Sequence, residues 1–268
     1  MDNIPFLSEH AQLSFRWIHV VAGVLWIGIL YYFNWVNGAF LATLDGDTKK
    51  KVIPELMPRA LFWFRWGAAW TWLTGVALLF VLYYVGDYGY FFSNMSENAG
   101  MKPAFGDWIV PFGSLFVGFL IYDILFKMLK GGAHTAGVVI WGLLAVGVAW
   151  FLTGSQEMSS RAAFIHVGAL FGTAMAANVW MRIWPAQKRI ITAIKNGEAP
   201  DPADPAMAGL RSKHNTYMSV PLILMMVSVD QPAITSADNP SLWVAVTLVI
   251  GFLATYALYK KVGSVKGF

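Results

Sequence analysis

Long apolar runs with almost no charge are the feature of this sequence that most restricts its fold. Several windows of about 20 residues match the roughly 30 Å hydrocarbon thickness of a bilayer. Within lipid, backbone amides and carbonyls must bond to one another, so each such window has to be an α-helix. Hydrophobic residues make up 57% of the chain and charged residues 13%, which excludes a soluble domain with an ordinary solvated surface. We therefore predict an all-α, polytopic integral membrane helical bundle.

The apolar windows predict about seven transmembrane helices in a single domain of residues 1–268. The predicted spans are 13–42, 60–85, 108–128, 134–153, 160–184, 209–229 and 241–260. The acidic, polar start "MDNIPFLSEH" does not resemble a cleavable signal peptide, so we expect the first helix to direct insertion. Tyr83 and Tyr84 fall near a span end, where amphipathic rings prefer the headgroup level. The connection 196–209, rich in proline and aspartate, predicts a turn or loop.

Basic residues follow the odd-numbered spans, whereas the other connections are acidic or sparsely charged. The basic residues are Lys49, Lys50, Lys51, Lys127, Lys130, Lys188, Arg189, Lys195, Lys260, Lys261 and Lys266. The positive-inside rule makes these connections cytoplasmic, which places the N-terminus outside and the C-terminus inside. Because topology accounts for the formal net charge of +4, we expect no nucleic-acid partner.

Four histidines lie within or at the ends of the predicted spans, and the chain contains no cysteine. Without cysteine, disulfides, thiolate metal sites, iron–sulfur clusters and covalent c-type haem attachment are excluded, so a metal centre would have to use histidine. His19 and His166 lie near the outer side, and His134 and His214 begin spans at the cytoplasmic side. An ionisable side chain at membrane depth is costly and tends to pair, ligate or relay protons inside the bundle.

His19 and His166 share an Ile-His-Val setting, in "FRWIHVVAG" and "AAFIHVGAL", on spans that run in the same direction. We expect both at one depth, where two imidazoles can fill both axial positions of a haem iron. The small residues Gly168 and Gly172 would let a flat ring approach the helix. The alternative is that the two histidines only make hydrogen bonds and that the glycines form a GxxxG packing motif.

His134 and His214 are the candidate ligands of a second haem b, although His134 could instead be solvated at the interface. Three arginines lie a few residues before the histidines, on the side nearer to water: Arg16, Arg161 and Arg211. Guanidinium groups there could pair with haem propionates, or could snorkel to lipid headgroups.

Other polar residues at membrane depth have structural and functional interpretations. Arg65, on the cytoplasmic side of the second span, could make an interhelical bond, pair with Asp123, or bind an anion or a propionate. The i, i+4 spacing of Asp123 and Lys127 predicts an ion pair. Asn34 and Asn178 predict interhelical hydrogen bonds.

Three stretches carry a resemblance to a known family: "SFRWIHVVAGVLWIGILYYFNWVN", "PRALFWFRWGAAWTWLTG" and above all "RSKHNTYMSVPLILMMVS". They resemble the membrane domain of the bacterial cytochrome-c-coupled urate oxidase family, also called urate hydroxylase, and the similarity covers nearly the whole chain. The resemblance implies oxidation of urate in the bacterial inner (cytoplasmic) membrane, with electrons passed to a c-type cytochrome. Because urate is an anion made in the cytosol, we expect it near Arg65, His214 and Asn215, with Arg65 and Asn215 as the catalytic candidates.

The sequence departs from that family at its end. Family members carry an eighth span and a C-terminal c-type cytochrome, whereas this chain stops at "YKKVGSVKGF", so we expect it to lack both and to use a separate electron carrier. The alternative is a haem-bearing electron-transfer or anchoring subunit of a larger respiratory or photosynthetic membrane complex, with no urate activity. A transporter is a third class, but the broken helices and clear inverted repeat common in transporters are not evident.

Overall fold

The computed structural model describes residues 4–86, 90–92, 103–235 and 238–265. Regular structure within these ranges is helical, apart from a single bridge between Phe92 and Met158. The helices are α1 Ile4–Tyr31, α2 Gly38–Thr43, α3 Gly46–Leu79, α4 Phe105–Met128, α5 His134–Gly154, α6 Ser160–Asn178, α7 Trp184–Lys195, α8 Ala203–Val227, α9 Pro232–Thr235 and α10 Pro240–Val262. The all-α prediction is confirmed for this part of the chain.

Six helical segments among the described residues are long and apolar enough to cross a membrane: Glu9–Thr43, Gly46–Tyr84, Phe105–Met128, Gly131–Gly154, Ser160–Lys195 and Pro240–Val262. They coincide with six of the seven predicted spans and support a multi-pass membrane protein. The remaining predicted span, 209–229, lies in α8 as far as Val227. The N-terminal half of this helix carries Arg211, Lys213 and His214 and is therefore less apolar. The number of spans and their orientation stay predictions.

Three of the long helical segments contain a π-helical turn, a wider turn that is often found at functional sites. These turns are Tyr32–Asn37 between α1 and α2, Phe80–Tyr84 after α3, and Val179–Ile183 between α6 and α7. In the first and third of these segments the turn begins 13 residues after the histidine of the Ile-His-Val motif, at residue 32 after His19 and at residue 179 after His166. This equal spacing extends the sequence similarity of the two segments to their backbone geometry.

Two helices begin earlier than the apolar pattern predicts, because aspartates cap them. Asp45 accepts hydrogen bonds from the backbone N–H groups of Asp47 and Thr48, both at 3.0 Å, and starts α3 well before residue 60. Asp201 accepts from the N–H of Ala203 at 2.9 Å and starts α8, so the second half of the predicted loop 196–209 is helical.

The chain divides into two compact units. The first comprises Met1–Trp17, Thr74–Ala174 and Pro221–Gly251, and the second comprises Ile18–Leu73, Met175–Val220 and Phe252–Phe268. In the first unit, Gly251 of α10 lies so close to α8 that an added Cβ would be 2.9 Å from the backbone nitrogen of Pro221. In the second, a Cβ on Gly67 would lie 3.2 Å from Trp26 of α1, so both units contain glycine-mediated helix contacts.

Candidate functional site

His166 is fully buried on α6 in the first unit, and both of its ring nitrogens have partners. Nδ1 lies 2.7 Å from the carbonyl oxygen of Ala162, which can only accept a hydrogen bond. Nδ1 therefore carries a proton, and because complete burial disfavours the charged imidazolium, Nε2 is left as an acceptor. The hydroxyl of Tyr84 donates to it at 2.5 Å. His166 is thus a neutral imidazole with a fixed ring orientation.

Aromatic side chains enclose this histidine. Tyr84 stacks on Trp108 with ring centroids 5.3 Å apart, and Tyr83 meets the His166 ring edge-on at 5.9 Å. Tyr83 and Tyr84 are almost completely buried within the protein, so their rings contact protein side chains, and the headgroup level expected for them stays a prediction. No local signal in the sequence indicates the Tyr84 contact, since the two partners are 82 residues apart.

Arg161 begins the same helix and has its own counter-charge. Its Nη2 lies 2.9 Å from Oδ1 of Asp230, and its guanidinium stacks 4.0 Å from the ring centroid of Tyr90. It also makes a hydrogen bond with Tyr83. Arg16, on α1, is exposed in the same unit. A role of either arginine toward a propionate stays a prediction.

His19 belongs to the second unit, whereas His166 belongs to the first. Its side chain is half-buried and hydrogen-bonds to the backbone of Thr71 on α3. The Thr71 hydroxyl in turn donates to the carbonyl of Gly67 at 2.7 Å. These bonds orient His19 toward α3 and leave its predicted role as a ligand untested.

The predicted cytoplasmic pair is also divided between the units. His134, in the first unit, is half-buried with its ring 5.5 Å from that of Phe126. His214 and Arg211 are buried in the second unit. Nearby along α8, the Nδ2 of Asn178 donates to Oδ1 of Asn215 at 2.8 Å, and the Nδ2 of Asn215 donates to the carbonyl of Met175 at 3.0 Å.

These amide bonds confirm the interhelical role predicted for Asn178. The same holds for Asn34, whose Nδ2 donates to Ser212 at 2.8 Å and whose Oδ1 accepts from the Tyr259 hydroxyl at 2.9 Å. Asn215, a catalytic candidate from the sequence, is completely buried and uses both ends of its amide to join α8 to α6.

Arg65 lies on α3 in the second unit, with its guanidinium 4.1 Å from the ring centroid of Trp184. Its side chain makes no hydrogen bond or ion pair with any residue that the structure describes. Asp123 instead forms the predicted ion pair with Lys127, at 2.7 Å.

On the connection predicted to be cytoplasmic, Arg189 donates from Nε to Oδ2 of Asp204 at 2.8 Å. This hydrogen bond lowers the pKa of the Asp204 carboxyl below its usual value, so the side chain remains a carboxylate at neutral pH.

A model of the urate oxidase N-terminal family matches residues 44–264. The chain belongs to this family. Membership confirms the resemblance found in the sequence and indicates a related, oxidoreductase-like function. No curated protein and no solved structure matches the chain.

In this urate oxidase family member, the chemistry at His166 suits an axial haem ligand. Metal-bound histidines commonly donate from one nitrogen to a carbonyl, which orients the other nitrogen toward the metal, and the Ala162 bond provides that support. Ligation would require the Tyr84 hydroxyl to leave Nε2. Beside α6, a Cβ on Gly172 would meet no atom within 4 Å, which leaves room for a ring. A Cβ on Gly168 would lie 3.2 Å from Met225, as expected for a packing glycine.

Proposed function

We propose that the chain is a haem-b-binding membrane oxidoreductase of the urate oxidase type, which passes electrons across or within the membrane to a c-type cytochrome. The observation that carries this proposal is the fixed ring of His166, whose Nδ1 donates to Ala162 and whose Nε2, now an acceptor for Tyr84, is the unprotonated nitrogen that a metal would bind. Membership of the urate oxidase N-terminal family supports the redox class.

Histidines of the chain would ligate the cofactor, and arginines would neutralise its propionates. His166 and His19 would be the axial ligands, and Arg161 and Arg16 would neutralise propionates on the outer side. His134 and His214, with Arg211, would hold a second haem b. When bound, haem b supplies reversible one-electron transfer. The buried apolar and aromatic side chains around His166 exclude water from that transfer.

The same proposal assigns a direction to the reaction. Urate would bind from the cytosol near Arg65 and His214, and electrons would leave on the outer side of the bacterial inner membrane to a c-type cytochrome. Under the predicted topology, His214 lies toward the cytoplasmic side and His19 and His166 lie toward the outer side, as this direction requires.

Optical spectroscopy of the purified protein tests the cofactor. We expect a reducible Soret and α-band that is lost in His166→Ala and in His19→Ala, because each removes an axial nitrogen. The control is His10→Ala, an exposed histidine on α1, which should keep the spectrum. A colourless wild-type protein with intact helical content would refute haem binding.

Anaerobic mixing of the protein with urate and oxidised cytochrome c tests the substrate and the acceptor. Growth of the reduced cytochrome absorbance would support urate oxidation. A haem-containing protein that reduces no cytochrome with urate would instead be an electron-transfer or anchoring subunit.

A further inference from the structure

Arg65 is a cation inside a membrane-crossing segment with no counter-charge among the described residues. It lies within Gly46–Tyr84, and a charged side chain at such depth normally pairs with another group. A guanidinium carries five N–H donors, yet none of those of Arg65 reaches an acceptor in the described part of the chain. Its Nε is also shielded from solvent.

Aromatic rings surround this guanidinium. Trp184 covers one face at 4.1 Å, and the ring centroids of Trp180 and Phe62 lie 5.8 Å from Cζ. Trp180 is fixed because its indole Nε1 donates to the backbone carbonyl of Arg65 at 3.0 Å. The π-helical turn Val179–Ile183 contains Trp180 and leads directly into Trp184, so the backbone brings both indoles to one arginine.

Stacking lowers the cost of the half-buried cation but does not replace a hydrogen-bond acceptor. A cation–π contact acts through the face of the guanidinium, whereas the N–H groups point outward in its plane. That planar fork matches the two oxygens of a carboxylate, phosphate or similar oxyanion. The group best suited to Arg65 is therefore an oxyanion.

The surroundings of Arg65 are accessible from outside the helices. Phe62, Trp66 and Trp180 are 44%, 41% and 36% exposed, so the aromatic wall is partly uncovered. In the predicted topology this wall faces the cytoplasmic membrane interface, where tryptophan is favoured. A ligand could reach the guanidinium from there without passing through a helix contact.

We infer that Arg65, with Trp184 behind it, binds an oxyanion that comes from outside the chain. Two sources share this chemistry at a membrane interface: a soluble planar anion such as urate, and the phosphate of a phospholipid. For urate the inference rests on the proposed function. A planar anion can use both the guanidinium fork and the neighbouring indoles, whereas a lipid phosphate uses the fork alone.

Binding measurements on the purified full chain, stripped of phospholipid in a maltoside detergent, separate the two sources. Radiolabelled urate is measured by equilibrium dialysis, and a short-chain phosphatidylglycerol is titrated calorimetrically. Arg65→Gln should weaken binding of the true ligand at least about tenfold, since hydrogen bonds to charged groups are worth roughly 1.5–3 kcal/mol. Arg65→Lys, which keeps the charge and loses the fork, should recover part of this loss.

Arg59→Gln is the matched control, because Arg59 lies on the same helix but is exposed and pairs with Glu55 at 2.8 Å. Loss of urate binding identifies the soluble source, and loss of phosphatidylglycerol binding identifies the lipid. If Arg65→Gln changes neither affinity by more than twofold, or if wild type binds neither probe, the inference is wrong. The Soret spectrum of the same samples reports the haem proposal separately.

Discussion

At the scale of single residues, the contact between Tyr84 and His166 determines what His166 can do. The sequence predicts that His166 lies at membrane depth, where a polar side chain is costly, and the structure shows that this side chain is fully buried. Its partner is not predictable from one sequence, because Tyr84 is brought to the histidine by tertiary packing and by the π-helical turn Phe80–Tyr84. The tautomer of His166 likewise depends on its hydrogen bond to the backbone carbonyl of Ala162, and a contact with the backbone leaves no residue pattern in the sequence.

Removing the Tyr84 hydroxyl should strengthen haem binding. In wild type, haem binding must break the hydrogen bond between Tyr84 and Nε2 of His166, whereas Tyr84→Phe has no such bond to break. We therefore expect the free energy of haem binding to become more favourable by about 0.5–1.5 kcal/mol, or roughly 2- to 12-fold in affinity. Titration of the haem-free protein with haem, followed by the Soret band, measures this gain.

Tyr122→Phe is the comparison for that experiment, because Tyr122 is equally buried in the same unit but its ring contacts Phe126 and Trp141 instead of His166. Equal haem affinity in Tyr84→Phe and wild type would show that Tyr84 does not compete with the metal. Absence of haem binding in every variant would instead count against the cofactor itself.

At the scale of helices, apolar length predicts where segments lie better than where they start. Six windows coincide with the observed helices because every backbone group in lipid must be bonded. The starts of α3 and α8 depend on Asp45 and Asp201, whose capping bonds favour helix in polar sequence that hydropathy treats as a loop. The ion pair of Asp123 with Lys127 was predictable because it is local, with a spacing of one helical turn.

Helix contacts at glycine give a prediction about stability. In Gly251→Ala, the new Cβ would lie within 3 Å of Pro221, whose ring and backbone nitrogen cannot rotate away, so we expect a destabilisation of about 1–3 kcal/mol. Unfolding of the protein in detergent, followed by circular dichroism, measures the change.

Gly147→Ala on α5 provides the control, since a Cβ there meets no atom within 4 Å. It should be neutral or stabilising by up to about 1 kcal/mol, because alanine is the better helix former. Equal stabilities of the two variants would mean that α8 and α10 are not in close contact at Gly251.

At the scale of the whole molecule, the number of crossings depends on α8. Its hydropathy is reduced by a polar N-terminal half, yet the polar side chains there are largely inside the protein: Arg211, His214, Asn215, Thr216 and Ser219 are all buried. A helix can lie at membrane depth with polar residues when they face protein rather than lipid. Seven crossings therefore stay the prediction, and the burial of these polar side chains of α8 is compatible with it.

Thiol labelling tests this topology, and the absence of native cysteine makes single introduced cysteines unambiguous. Four exposed positions are informative: Lys50→Cys, Glu157→Cys, Glu198→Cys and Asp238→Cys. With seven crossings and the N-terminus outside, an impermeant maleimide should label positions 157 and 238 on intact spheroplasts, and positions 50 and 198 only after permeabilisation. Because α8 separates positions 198 and 238, labelling of both from the same side would show that α8 does not cross, and a complete reversal of the pattern would invert the orientation.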